Sequence, residues 1–186
     1  MERAYRKRIL TFFLRGLVVW LVWYVLYDLW LEPQGTFDHM LSHNLVSLSG
    51  NILNIFGFRV FVSDRIVGLS GMPGIIIITP CDGMEAMGLF LGFVHAFPGN
   101  RWRRWLFSLA GLLVIYLTNI VRIIVLVLTQ RYWPGVFDFT HHYSTTALFY
   151  VIVFLLWVIW AHWGMDESIF GRTVRRISLR EEGEAV

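Results

Sequence analysis

The segment from Trp105 to Thr129 reads WLFSLAGLLVIYLTNIVRIIVLVLT, and a helix of that length and apolarity is built to cross the hydrocarbon of a bilayer. This run limits the rest of the chain to arrangements with a lipid solvent. The overall balance agrees, with 56% of residues hydrophobic, 17% aromatic and only 16% charged, too apolar to clothe a soluble core in polar side chains. We therefore expect an all-α integral membrane protein with about four transmembrane helices. A small extracytoplasmic β-meander and an amphipathic helix lie between spans 1 and 2. The expected spans are residues 9–31, 83–97, 105–129 and 144–163. A cytoplasmic N-terminus covers 1–8, a cytoplasmic loop 98–104 and a charged cytoplasmic tail 164–186, with extracytoplasmic loops over 32–82 and 130–143.

Orientation follows from where the basic residues collect. Arg3-Arg6-Lys7-Arg8, Arg101-Arg103-Arg104 and Arg172-Arg175-Arg176 all flank apolar runs, and placing them inside satisfies the positive-inside bias with both termini cytoplasmic. They read as anchors for lipid headgroups rather than a nucleic-acid surface. The first apolar run is long and lacks a small-residue cleavage pattern after it, so it reads as a retained span rather than a signal peptide.

Residues 32–82 are too many for a tight connection. Over 40–57, Leu41, Leu45, Leu48, Ile52 and Ile55 recur at near-helical spacing and predict an interfacial amphipathic helix ended by Gly57. The β-branched runs FRVFVS, RIVGLS and GIIIIT follow, separated by Ser63-Asp64 and Gly71-Met72-Pro73-Gly74, which is the punctuation of a three-stranded antiparallel meander.

The meander runs into Pro80-Cys81-Asp82-Gly83. Alternating spans bring Cys81, the end of the third span and His141-His142 to the same outer face. Arg122 lies roughly 26 Å along the third span from Trp105, which is also the outer half. A charge in so apolar a helix must face protein or a polar cavity, and Asn119 shares its face one turn earlier. Cys81 is the chain's single cysteine, so no intrachain disulfide forms. Between a strand and a helix start, it is placed to meet amide donors and the positive end of a dipole, surroundings that suit a nucleophile. A histidine to exchange the proton and Arg122 to hold developing negative charge complete an acyl-transfer set. Asp82 and Glu85 are candidates for orienting a histidine or anchoring Arg122.

The segments TPCDGMEAMGLF, TNIVRIIVL and FDFTHHYSTTALFY resemble the exosortase and archaeosortase family of membrane transpeptidases, over roughly residues 75–165. The resemblance implies a catalytic set of Cys81, Arg122 in an Asn-x-x-Arg helix and a histidine from His141-His142. It favours His141, followed four places on by Thr145 and eight on by Phe149. It further implies cleavage of secreted proteins at a C-terminal signal (a short motif, a transmembrane helix and a basic tail), with transfer to a cell-envelope acceptor. This chain departs in carrying Asp82 where many members have Ser or Ala, and in lacking the extra spans of longer members, so it reads as a compact form.

Blander readings stand beside these. A membrane cysteine is commonly packing material, Arg122 can be a strut paired with Asp28, Asp82 or Glu85, and Gly88-x-x-x-Gly92 reads as a helix-packing stripe. His39 and His43 have i, i+4 spacing without evident further ligands, so neither metal nor cofactor is expected. The rival functions are a thiol-dependent membrane acyltransferase and a non-enzymatic membrane assembly subunit.

Overall fold

The computed structural model describes residues 2–78, 81–97, 99–139 and 145–164. The first helix, α1 (Glu2–Trp23), starts well before the expected span boundary at residue 9 and continues through a wider, π-helical winding over Tyr24–Leu31. A single further turn, α2 (Glu32–Gln34), carries Pro33 and stops at Gly35, whose φ of 64° is open to glycine. Only 6% of the apolar window from Phe13 to Gln34 is buried, and Leu10, Phe13, Leu17 and Trp20 are each more than half exposed. So continuous an apolar surface belongs in lipid.

Next comes α3 (Thr36–Ile55), which starts earlier than the expected residue 40 and turns a different face inward. The sequence periodicity put Leu41, Leu45, Leu48, Ile52 and Ile55 together. Instead Asp38, Ser42, Leu45, Val46, Ser49, Gly50 and Leu53 are buried, while Leu48 and Ile55 are exposed. The reason is close approach to the sheet: a Cβ on Gly50 would lie 2.6 Å from Val62 Cγ2. Gly50 therefore faces the strands at the closest approach, Leu45, Val46 and Leu53 fill the core beside it, and Leu48 and Ile55 turn out. Gly57, with φ 85°, closes α3 as expected, because the Phe58 amide donates to Leu53 O and the Gly57 amide to Asn54 O, the paired bonds of a Schellman end.

The expected meander is present. Strands β1 (Val60–Ser63), β2 (Ile66–Leu69) and β3 (Ile75–Ile76) pair antiparallel in the order β1-β2-β3, with Ser63 opposite Ile66 and Val67 opposite Ile75. Asp64 takes a positive φ of 51° in the first turn, and its carboxylate pairs with His39 Nε2 at 2.7 Å. His39 thus ties α3 to the hairpin.

The remaining helices are α4 (Met84–Ala96), α5 (Arg101–Tyr132), the single turn α6 (Phe137–Phe139) and α7 (Thr145–Trp163). Asn100 caps α5 by accepting from the amides of Trp102 and Arg103. The 32 residues of α5 reach about 48 Å, well beyond a hydrocarbon layer of about 30 Å. Two apolar cores divide this length. Ile120, Ile123, Leu126 and Val127 near one end pack with Leu45, Leu53, Val67 and Ile77 of α3 and the sheet segment. Phe107 and Ile115 near the other pack with Phe90 and Val94 of α4 and Phe149, Val153 and Trp160 of α7. Gly111 is needed there, since a Cβ would fall 2.1 Å from Phe90 Cζ. Gly88 of the small-residue stripe receives the indole of Trp23, seating α1 on α4.

Among the described residues, Phe13–Gln34 and Arg101–Tyr132 are long and apolar enough to cross a membrane, and Met84–Ala96 and Ala147–Trp163 are shorter apolar helices.

Candidate active site

Cys81 and Arg122 meet where the two cores join. Arg122 projects from α5, is only 7% exposed, and divides its guanidinium between two atoms of one residue: Nη1 donates to Cys81 O at 3.2 Å and Nη2 to Cys81 Sγ at 3.4 Å. Asn119, one turn earlier, donates Nδ2 to the same carbonyl at 3.1 Å. The Arg122 guanidinium also lies over the ring of Phe149 of α7, 5.4 Å from its centroid. Among the described residues Arg122 forms no ion pair, so the strut reading with Asp28, Asp82 or Glu85 does not account for it. Its charge faces the sulfur, and a thiolate is the species that such a charge complements.

Cys81 is half-buried as a residue. The backbone holds it there through a bond from the Cys81 amide to Ile78 O at 2.7 Å and through Gly83, whose φ of 89° starts α4. A Cβ on Gly83 would press to 3.2 Å of Asn119 Nδ2. The helix-start donor foreseen for the thiol goes elsewhere: the Met84 amide donates to Asp82 Oδ1 at 2.9 Å. Asp82 lies one residue ahead of the N-cap Gly83, its short carboxylate reaches the amide two residues on, and the guanidinium takes over the charge role beside sulfur.

Asp82 is fully buried, and its Oδ2 has no partner. Burial pushes its carboxyl up to about 7, the Met84 amide opposes this, and the charges of Asp38 and Glu85 add to it. Glu85 itself is exposed, and among the described residues Arg122 bonds to Cys81 rather than to it. His141 and His142 lie outside the described residues. The sequence reading passes over Tyr27 as a hydrogen-bonding group and over Asp38 altogether. Tyr27 is buried in the π-helical stretch and donates its hydroxyl to Asp38 Oδ1 at 3.0 Å, while Asp38 is 2% exposed with Oδ2 unpartnered. The signal was the acid in the first turn of α3, which looks like any helix-start preference until its burial is seen.

The elevated Asp82 value has a testable sign. The folded state prefers the neutral acid, so this contribution to stability is full below the exposed-aspartate value of 3.8 and is lost as pH rises through about 7. Asp82→Asn keeps the neutral form at every pH. Its melting temperature in detergent should gain on the wild type between pH 5 and pH 8, by the equivalent of about 2 kcal/mol. A difference between the two proteins that does not change with pH would show that Asp82 is ionised throughout.

These features define a helical membrane protein whose one cysteine is held against a buried guanidinium at the junction of a bundle and a small sheet domain. The chain belongs to the transmembrane exosortase family (Exosortase_EpsH), whose family model matches residues 4–158. No curated protein and no solved structure matches it.

Proposed function

We propose that the chain is a membrane-embedded cysteine protease-transpeptidase that removes C-terminal sorting signals from secreted proteins and passes them to a cell-envelope acceptor. The observation that carries this reading is the Arg122 Nη2 to Cys81 Sγ contact, made from α5 to the residue ahead of α4 by a guanidinium that forms no ion pair among the described residues. In the proposed reaction Cys81 Sγ attacks the scissile carbonyl, and Arg122 holds the charge that develops on its oxygen. A histidine of the His141-His142 pair, a few residues ahead of α7 in the chain, takes the thiol proton and returns it to the leaving amine. The carbon–nitrogen bond breaks, leaving a thioester on Cys81. An acceptor amine or hydroxyl then attacks the thioester and restores the thiol. We place the chain in the plasma membrane as four spans, with both termini cytoplasmic and the site at the extracytoplasmic face. The basic flanks of the apolar runs support this topology.

The test is intact-mass spectrometry of the protein after incubation with a secreted protein ending in a short motif, a transmembrane helix and a basic tail. The expected result is an adduct on Cys81 with the mass of the trimmed substrate, released by hydroxylamine. A fatty-acyl mass on Cys81 instead would establish the lipid acyltransferase. Tail removal at the wild-type rate by protein whose Cys81 has first been alkylated would end the thioester mechanism.

A further inference from the structure

At the end of the bundle opposite Cys81, α1, α4 and α5 border an open cleft of about 720 Å³ lined by Arg15, His95, Arg101 and Arg104, with Leu14 and Val18 among its apolar walls. No carboxylate among the described residues lines it, although Arg104 feels the charges of both Arg15 and Arg101. Three guanidiniums gathered at one cleft with no counter-charge among the described residues favour an anion. Arg104 is held in place by the backbone, since one of its terminal nitrogens donates to Phe97 O at 3.2 Å and to Gly99 O at 3.3 Å, while its Nε is buried without a partner. His95 donates Nδ1–H to Leu91 O at 3.0 Å, which leaves its other ring nitrogen available. Neighbouring Arg103 is not part of the cluster; it turns away to Trp163 O and the Trp163 ring.

The walls say what kind of anion. Leu14 and Val18 are each about half exposed, and they continue from the arginines along α1 into the apolar length of the bundle. A ligand filling the cleft has a charged head at the arginines and a hydrocarbon tail along α1. We infer that this cleft is a binding site for an anionic phospholipid, with its phosphate between Arg15, Arg101 and Arg104 and one acyl chain against Leu14 and Val18. Phosphate oxygens match the planar donor fork of arginine, and basic pockets between helices at a membrane surface take phosphorylated headgroups. The basic tail of a sorting signal would be repelled, so the site belongs to lipid. It docks α1, which is otherwise held mainly by packing on α4.

The test is native mass spectrometry of the full chain released from detergent in the presence of phosphatidylglycerol, phosphatidylcholine or inorganic phosphate. Wild type should retain phosphatidylglycerol in preference to phosphatidylcholine. Arg15→Gln/Arg101→Gln, at two exposed positions that leave the Arg104 bonds intact, should lower that retention on the order of 10-fold. Arg131→Gln, which removes a charge from the far end of α5, should leave it unchanged. Equal retention of the two lipids, or no loss in the double variant, would overturn the site. Inorganic phosphate competing as well as the lipid at equal concentration would overturn the assignment to a lipid, since the apolar wall would then contribute nothing.

Discussion

On the proposed chemistry, Cys81→Ala is expected to lower the processing of tailed secreted proteins by at least about 10⁴-fold, as loss of a covalent nucleophile does elsewhere, and to leave the fold standing. Both halves follow from how the residue is held. Its structural bonds run through the backbone: Asn119 and Arg122 donate to the Cys81 carbonyl, and the Cys81 amide donates to Ile78 O. Alanine retains all three. What disappears is the sulfur that accepts from Arg122 Nη2, and leaving that donor without its acceptor costs about 1 to 3 kcal/mol, a modest shift in melting temperature. Serine keeps a polar atom at the site, but an alcohol gives up its proton far less readily than a thiol and is the weaker nucleophile, so Cys81→Ser should process almost as little as alanine. The measurement is the fraction of substrate shortened with time, read beside a melting curve for each variant. Processing at the wild-type rate in either variant would refute the proposed chemistry.

What the sequence made legible, and what it did not, divides along physical lines. Apolar runs of bilayer length and a β-branched series broken by Ser63-Asp64 and Gly71-Met72-Pro73-Gly74 are local patterns, so the helices and the meander could be read from them. Helical rise alone brought Arg122 to the level of Cys81, because a charge has few tolerable places in an apolar helix. The buried face of α3 escaped in part, because a rotation that takes Leu48 and Ile55 out and brings Ser42, Ser49 and Gly50 in beside Leu45 and Leu53 was set by the strand packed against it. The Tyr27–Asp38 bond escaped for a related reason: it joins a π-helical stretch to the next helix, and neither the wider winding nor the pairing leaves a periodic trace. The role of the α4 start was misassigned because Asp82, adjacent in sequence to the thiol, captures the Met84 amide first.

Arg122→Lys preserves the charge and tests the fork. The guanidinium serves Cys81 O with one terminal nitrogen and Cys81 Sγ with the other, while its face rests on Phe149. An ammonium is a single point on a flexible stem and cannot hold both atoms in one geometry. If Arg122 stabilises the oxygen charge that exists only in the transition state, the lysine variant loses on the order of 10²-fold in kcat with little change in KM. Arg122→Met, which fills similar space with no charge, should lose about a further 10-fold. Leaving a buried carbonyl with one donor fewer also costs each variant about 1 to 3 kcal/mol of stability, so both should melt somewhat earlier than the wild type. Because kcat reports the chemistry and the melting temperature reports the packing, the two roles separate. A lysine variant that melts earlier yet turns over tailed substrate at the wild-type kcat would reduce Arg122 to a brace for the Cys81 carbonyl. A fall in kcat larger than the loss of folded protein can explain would put its charge in the reaction.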